Sequence, residues 1–210
     1  RMLQTPGIAL QSAVKETVRM GEIVRKSIEV AKDVLYTQDQ EAIDILKNDE
    51  SDVDRLCAGI TNYTIKLSSL QISEKEHQEA AHLLQVLSDM ERVSDYCENI
   101  SEFAETLRDK KASFSETAKK QLEEMIEETA KSYFYALDAF KEQSREKALR
   151  VIEKETKVDD LEVKLRSRHI KRLSNNECNT EAGIVFLDTL VCMERISDHA
   201  RNIAEEVLEE

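Results

Sequence analysis

The sequence predicts an all-α protein built as two tandem three-helix bundles related by internal duplication. Three observations carry that expectation. Apolar residues recur at three- and four-residue steps along most of the chain, the period of an amphipathic helix. Only four Gly and one Pro occur in 210 residues, and no Asn-Gly or Asp-Gly pair is present, so hairpin turns lack their material. The stretch Met90-Glu91-Arg92-Val93-Ser94-Asp95-Tyr96-Cys97-Glu98-Asn99-Ile100-Ser101-Glu102 returns as Met193-Glu194-Arg195-Ile196-Ser197-Asp198-His199-Ala200-Arg201-Asn202-Ile203-Ala204-Glu205. Eight of the thirteen positions are identical at a constant offset, and such a duplication governs the reading of the whole fold.

After a turn-like Thr5-Pro6-Gly7, a first helix is expected from about Ala9 to Tyr36, with Val14, Val18, Met20, Val24, Ile28, Ala31 and Leu35 as its apolar face. Capping-type residues between Thr37 and Asp39 stop it and start a second helix reaching about Leu70. The core positions of that helix are Ile43, Leu46, Val53, Leu56, Ile60 and Leu67. Ser73 and Glu76 have the spacing of a capping box, which opens a third helix. There Val86, Met90, Val93, Cys97, Ile100, Ala104 and Leu107 form a heptad seam. The polar linker Asp109 to Ala112 divides the first repeat, residues 1–110, from the second, residues 111–210. The plan then recurs: Ser113-Phe114-Ser115-Glu116 reads as a second capping box, followed by helices over about 115–141 and 145–173. A turn at Ser174-Asn175-Asn176 precedes a last helix that runs to the end.

With 40% hydrophobic and 35% charged residues the chain is a folded soluble protein rather than a disordered one. A net charge of −13 excludes a phosphate-backbone surface, so no nucleic acid is expected, and it disfavours anionic lipid. No run of 18 apolar residues and no signal pattern occurs, and a start at Arg1 rather than Met reads as a fragment or processed chain. Cys57, Cys97, Cys178 and Cys192 have no zinc-type pairing; Cys97 and Cys192 fall among apolar helical positions and read as small core residues in a reducing, cytoplasmic setting.

Each repeat carries two Glu-x-x-x-Asp pairs: Glu50/Asp54 and Glu91/Asp95, then Glu155/Asp159 and Glu194/Asp198. Residues four apart share a helix face, and like charges there cost a few tenths of a kcal/mol per pair. Two readings account for them. The acids are a solvated face, with Arg92 and Arg195 as counter-charges, or the second and third helices of each bundle join their pairs into an all-oxygen site. Such a site suits Mg²⁺, Mn²⁺ or iron, and Asn99 and Asn202 extend the same stripe. His77, His82, His169 and His199 do not recur between repeats and read as surface or packing residues, with His199 alone near enough to join a metal shell.

At these residues the sequence resembles the PhoU family over essentially its whole length, from about Ala9 to Glu210. The resemblance implies tandem three-helix bundles whose acidic motifs hold surface metal clusters of iron, zinc or other metals, with Glu50, Asp54, Glu91, Asp95, Glu155, Asp159, Glu194 and Asp198 as ligands. It implies regulation of phosphate uptake, with a membrane phosphate transporter as partner and with phosphate and a second copy of the chain as further candidates. Leu3-Gln4-Thr5-Pro6-Gly7-Ile8-Ala9-Leu10 and Val18-Arg19-Met20-Gly21-Glu22-Ile23 further resemble the segment that joins sodium/phosphate cotransporters to a C-terminal PhoU-like domain. That points to a fused domain on the cytoplasmic face, the alternative being a free-standing PhoU regulator of a phosphate-specific ABC transporter and its sensor kinase. The family motif often has Gly where Ser94 and Ser197 stand. Tyr96 and Cys97 stand in the first copy where His199 and Ala200 stand in the second, which implies weaker or different metal binding at the first site.

An enzyme is not expected. There is no Gly-rich phosphate loop, no Gly-x-Ser-x-Gly and no His-Glu-x-x-His. A di-iron oxidase needs paired Glu-x-x-His motifs, and Glu79-Ala80-Ala81-His82 stands alone. A metal-free structural bundle is the remaining rival.

Overall fold

In the computed structural model, which describes residues 6–175 and 177–209, six helices and no strand are found. They are α1 (Pro6–Thr37), α2 (Gln40–Ser68), α3 (Glu74–Asp109), α4 (Glu116–Glu142), α5 (Arg145–Ser174) and α6 (Thr180–Glu209). α1, α2 and α3 pack on one another as one bundle, and α4, α5 and α6 as the other. α3 also packs against α6 as extensively as against α1, and α1 touches α4, so the bundles share a broad interface.

The helix boundaries follow local chemistry. Asp39 caps α2 by accepting the Ala42 N–H at 3.0 Å. The box at α3 is complete: Glu76 N–H donates to Ser73 Oγ, and Ser73 N–H donates to Glu76 Oε2 at 2.8 Å. Two expectations are corrected. Ser115 alone caps α4, accepting the Ala118 N–H at 3.2 Å, so Ser113 and Glu116 form no box. Pro6 and Gly7 belong to α1 rather than to a turn, because a proline at the first helical position sacrifices no hydrogen bond and has φ already set. Thr5, and with it Leu3 and Gln4 of the linker-like segment, lies outside the described residues, as does Asn176 of the turn before α6.

Gln38 and Gln143 occupy the left-handed region, with φ of 51° and 52°, at the corners that follow α1 and α4. The duplication therefore reproduces the backbone corner as well as the helices.

The seam predicted on α3 is buried throughout. On α1, Val14 and Val18 are only half-buried, and Ala9, Leu10, Ala13, Thr17 and Gly21 take the core-facing places. Small residues let neighbouring helices approach there. A Cβ on Gly21 would run into Leu137 of α4, and the Tyr133 hydroxyl donates to the Gly21 carbonyl at 3.1 Å. Leu56 is half-buried, while the other expected core positions of α2 are buried. Cys97 and Cys192 are core residues, and burial pushes the Cys192 thiol up to about 12 and Cys97 higher still. His169 is buried against Phe186, ring centroids 4.1 Å apart, and desolvation followed by Arg172 lowers it to about 4.

Candidate functional site

α2 lies against α3 and α5 against α6, so the acidic faces of each pair of helices meet. In the first bundle Glu50, Glu91 and Asp95 are half-buried and Asp54 is exposed. Desolvation raises the Glu50 carboxyl, reinforced by Glu98, Asp95, Asp54 and Glu91 in that order. Burial likewise raises Glu91, with Asp95 and Asp54 adding to it, and raises Asp95 against the opposing pull of Arg92. The four acids expected at this place are therefore electrostatic neighbours.

In the second bundle the grouping is tighter. Glu155, Asp159 and Asp198 each offer a carboxylate oxygen, and these atoms all lie within 4.8 Å of one another. Desolvation raises Asp159, with Glu155 and Asp198 adding to it. Glu194 is held up by burial and by Asp198. Arg195 bridges Glu194 at 3.5 Å and Asp198 at 3.4 Å, as Arg92 bridges Glu91 at 3.8 Å and Asp95 at 3.2 Å. The two copies of the motif thus place their arginines alike.

Residues outside the motif differentiate the clusters. Arg201 Nη1 donates to Glu155 Oε1 at 2.8 Å, and its Nε donates to Glu205 at 2.8 Å. The first repeat has Glu98 at the position of Arg201, and Cys57 at the position of Glu162. Glu98 adds to the charge on Glu50, and the Cys57 thiol is raised by burial and by Glu91, Asp54 and Asp95. The signal for these residues lay in the repeat itself, at aligned positions where residue type changes.

Two further side chains are held at the α3–α6 interface. The His199 Nδ1 lies 2.8 Å from buried Asp89 of α3 and its ring 5.9 Å from that of Tyr96, while its charge acts on Glu91, Asp95 and Asp198. Asn202 donates to the same Asp89 oxygen at 2.9 Å, so it belongs to the α3–α6 interface and not to the acidic stripe. A buried carboxylate at a helix interface needs donors, and these two side chains supply them to Oδ1 while Gln85 Nε2 donates to Oδ2 at 3.0 Å.

The donor set fits a hard or borderline cation. Asp159 Oδ1 is a buried oxygen with no hydrogen-bond donor among the described residues, and it sits in the group where three carboxylates converge. An unsatisfied buried carboxylate oxygen is costly unless a cation meets it.

The fold is thus an all-helical duplicated bundle with an acidic cluster on each half. The PhoU domain matches residues 17–104 and again 122–207, so the chain belongs to the PhoU family. Among its relatives, a phosphate-specific transport system accessory protein PhoU homolog of Xylella fastidiosa (strain 9a5c) is 28% identical over 200 residues, covering 95% of this chain and 83% of that protein. The proposed inorganic phosphate export protein YjbB of Escherichia coli K12 is 24% identical over 210 residues, 99% of this chain but 38% of that protein. The fold is shared with the crystal structure of PhoU from Pseudomonas aeruginosa, at a TM-score of 0.89 and 20% identity over 96% of both chains. The PhoU structure from Streptococcus pneumoniae gives a TM-score of 0.86 at 19% identity, over 97% of this chain and 95% of that one. No described helix is long and apolar enough to cross a membrane.

Proposed function

We propose that this chain is a non-catalytic regulator of phosphate transport that works through cations held at its two carboxylate clusters. The observation that carries the cation part is the Asp159 oxygen, buried and without a donor beside Glu155 and Asp198. Mg²⁺, Mn²⁺, iron or zinc would be held by Glu155, Asp159, Glu194 and Asp198 in one bundle and by Glu50, Asp54, Glu91 and Asp95 in the other. A bound cation reverses the local sign of the field, which lets a domain of net charge −13 meet phosphate or an acidic transporter surface. The apolar seams keep the clusters at fixed separation.

The free-standing accessory form is the better supported, since the Xylella fastidiosa relative matches over most of both chains. In this reading the partner is a cytoplasmic face of a phosphate transporter, engaged in trans. A second reading, a domain fused to a membrane transport protein, is favoured by the relative that contains an equivalent of nearly the whole chain within 38% of its length.

The test is phosphate uptake in cells lacking their own PhoU. The chain should restore the normal ceiling on uptake, and Asp159→Asn/Asp198→Asn should not, at equal protein level. Full restoration by the double variant would separate the clusters from the function.

A further inference from the structure

The lone Glu79-x-x-His82 of α3 meets a partner in the fold. His82 Nδ1 contacts Glu206 Oε2 of α6, and one turn on Glu209 adds a second carboxylate. One ligand atom from each of His82, Glu206 and Glu209 lies within 4.8 Å of the others. Glu79 and Glu209 line the open cavity of about 270 Å³ beside them, with Lys75, which pairs with Glu79 at 3.4 Å. We propose that His82, Glu206 and Glu209 form a third metal site, distinct from both carboxylate clusters and selective for a borderline divalent cation of the Zn²⁺ class.

The donor chemistry sets the metal class. One imidazole nitrogen with two carboxylates, and room for water, suits zinc better than the all-oxygen clusters do. A spread of 4.8 Å is small enough for side-chain rotation to close onto bonds of about 2 Å. Glu209 is exposed and free to make that movement.

Helix electrostatics point the same way. Glu206 and Glu209 stand in the last turn of α6, where no basic residue is present and the helix dipole is negative. Acids there are unfavourable, and a cation bound beside the His82–Glu206 pair would offset them. Arg145 donates to the Leu208 carbonyl, at 3.0 Å.

The duplication supplies a control. The positions related to Glu79, His82, Glu206 and Glu209 are Ala182, Val185, Phe103 and Thr106, which offer no metal-type donor set. Helix packing at this end of the interface therefore does not need these four residues. By helix rise, His82 lies about 13 Å along α3 from Glu91, too far to share an ion with the first cluster.

The test is a Zn²⁺ titration of the whole chain followed on imidazole ¹H–¹⁵N resonances, of which only four sets exist. The His82 signals should shift and saturate, and they should do so equally in Asp159→Asn/Asp198→Asn. His82→Gln should lower bound zinc by one equivalent in equilibrium dialysis. Glu209→Gln, at an exposed position where folding is not at stake, should weaken the His82 response at least about tenfold. His82 resonances unmoved at Zn²⁺ concentrations that saturate the protein, or unaffected by Glu209→Gln, overturn the site. Because these signals do not report on the carboxylate clusters, their failure leaves the proposed function standing, and failure of that function leaves this site untouched.

Discussion

The two carboxylate clusters share four acids and differ in what surrounds them. The second has Arg201 on Glu155, which is only 5% exposed, and draws three carboxylates together. The first has Glu98 in place of that arginine, and desolvation followed by Glu102 and Asp95 raises Glu98 as well. One copy of the duplicated site thus has a second internal cation, Arg201, beside its motif arginine, while the other has Arg92 and, acting on Glu98, Lys47, with no counterpart to Arg201. The lesson is that duplicated motifs fix where the acids stand, and single neighbouring positions fix how far the charge of each copy is compensated.

The largest effect should come from metal itself. At a Mn²⁺ concentration a hundredfold above its dissociation constant, each occupied site stabilises by about 2.7 kcal/mol, or roughly 5–10 °C in Tm for a chain of this size. Calorimetry should show that Asp54→Asn/Asp95→Asn and Asp159→Asn/Asp198→Asn each remove part of this gain. An undiminished gain in either variant breaks the pairing of clusters.

Next is the arginine. Arg201→Ala leaves Glu155 buried without its donor and should cost about 2 kcal/mol in urea unfolding of the metal-free protein, the guanidinium's exposure keeping the figure low. Glu98→Arg should do the reverse, stabilising the metal-free first cluster by about 1 kcal/mol while weakening its Mn²⁺ affinity. If the two substitutions move stability in the same direction, the contrast between clusters is wrong.

The pH dependence sharpens the same point. Glu50, Glu91, Asp95 and Glu98 in the first cluster and Asp159, Glu194 and Asp198 in the second all titrate above their ordinary values. A carboxyl raised on folding stabilises the fold when protonated, and that contribution is lost as pH rises through the folded value. Metal-free wild type should therefore gain stability relative to Asp54→Asn/Asp95→Asn as pH is lowered from 7 toward the carboxylate range. His169, lowered to about 4 by burial, contributes the opposite slope, falling away below its ordinary value, and cancels in the difference. Saturating Mn²⁺ should flatten the curve.

The smallest effect tests the scaffold. Gln38→Gly and Gln143→Gly relieve left-handed residues at equivalent corners and should each stabilise by about 1 kcal/mol.

Much of this was legible in the sequence. Heptad spacing fixed the α3 seam, Ser73 and Glu76 announced their capping box, and the repeat aligned Glu50 with Glu155 and Asp95 with Asp198. What escaped depends on partners distant in the chain. Nothing local in Arg201 reveals Glu155, and nothing in His199 or Asn202 reveals buried Asp89 on another helix. The PhoU resemblance proved sound, whereas its narrower fused-domain form is less well supported than a free-standing regulator. Glu79-x-x-His82 looked solitary because its complement, Glu206-x-x-Glu209, comes from the opposite end of the chain and is adjacent only once α3 and α6 pack.

The central claim is that the in-register carboxylates grip cations. Its most direct test is elemental analysis after equilibrium dialysis against Mn²⁺, comparing the wild type with Glu50→Gln/Asp95→Asn/Asp159→Asn/Asp198→Asn, with helicity checked by circular dichroism. The account predicts that the wild type retains manganese and the folded quadruple variant loses it; equal manganese in the two proteins would contradict it.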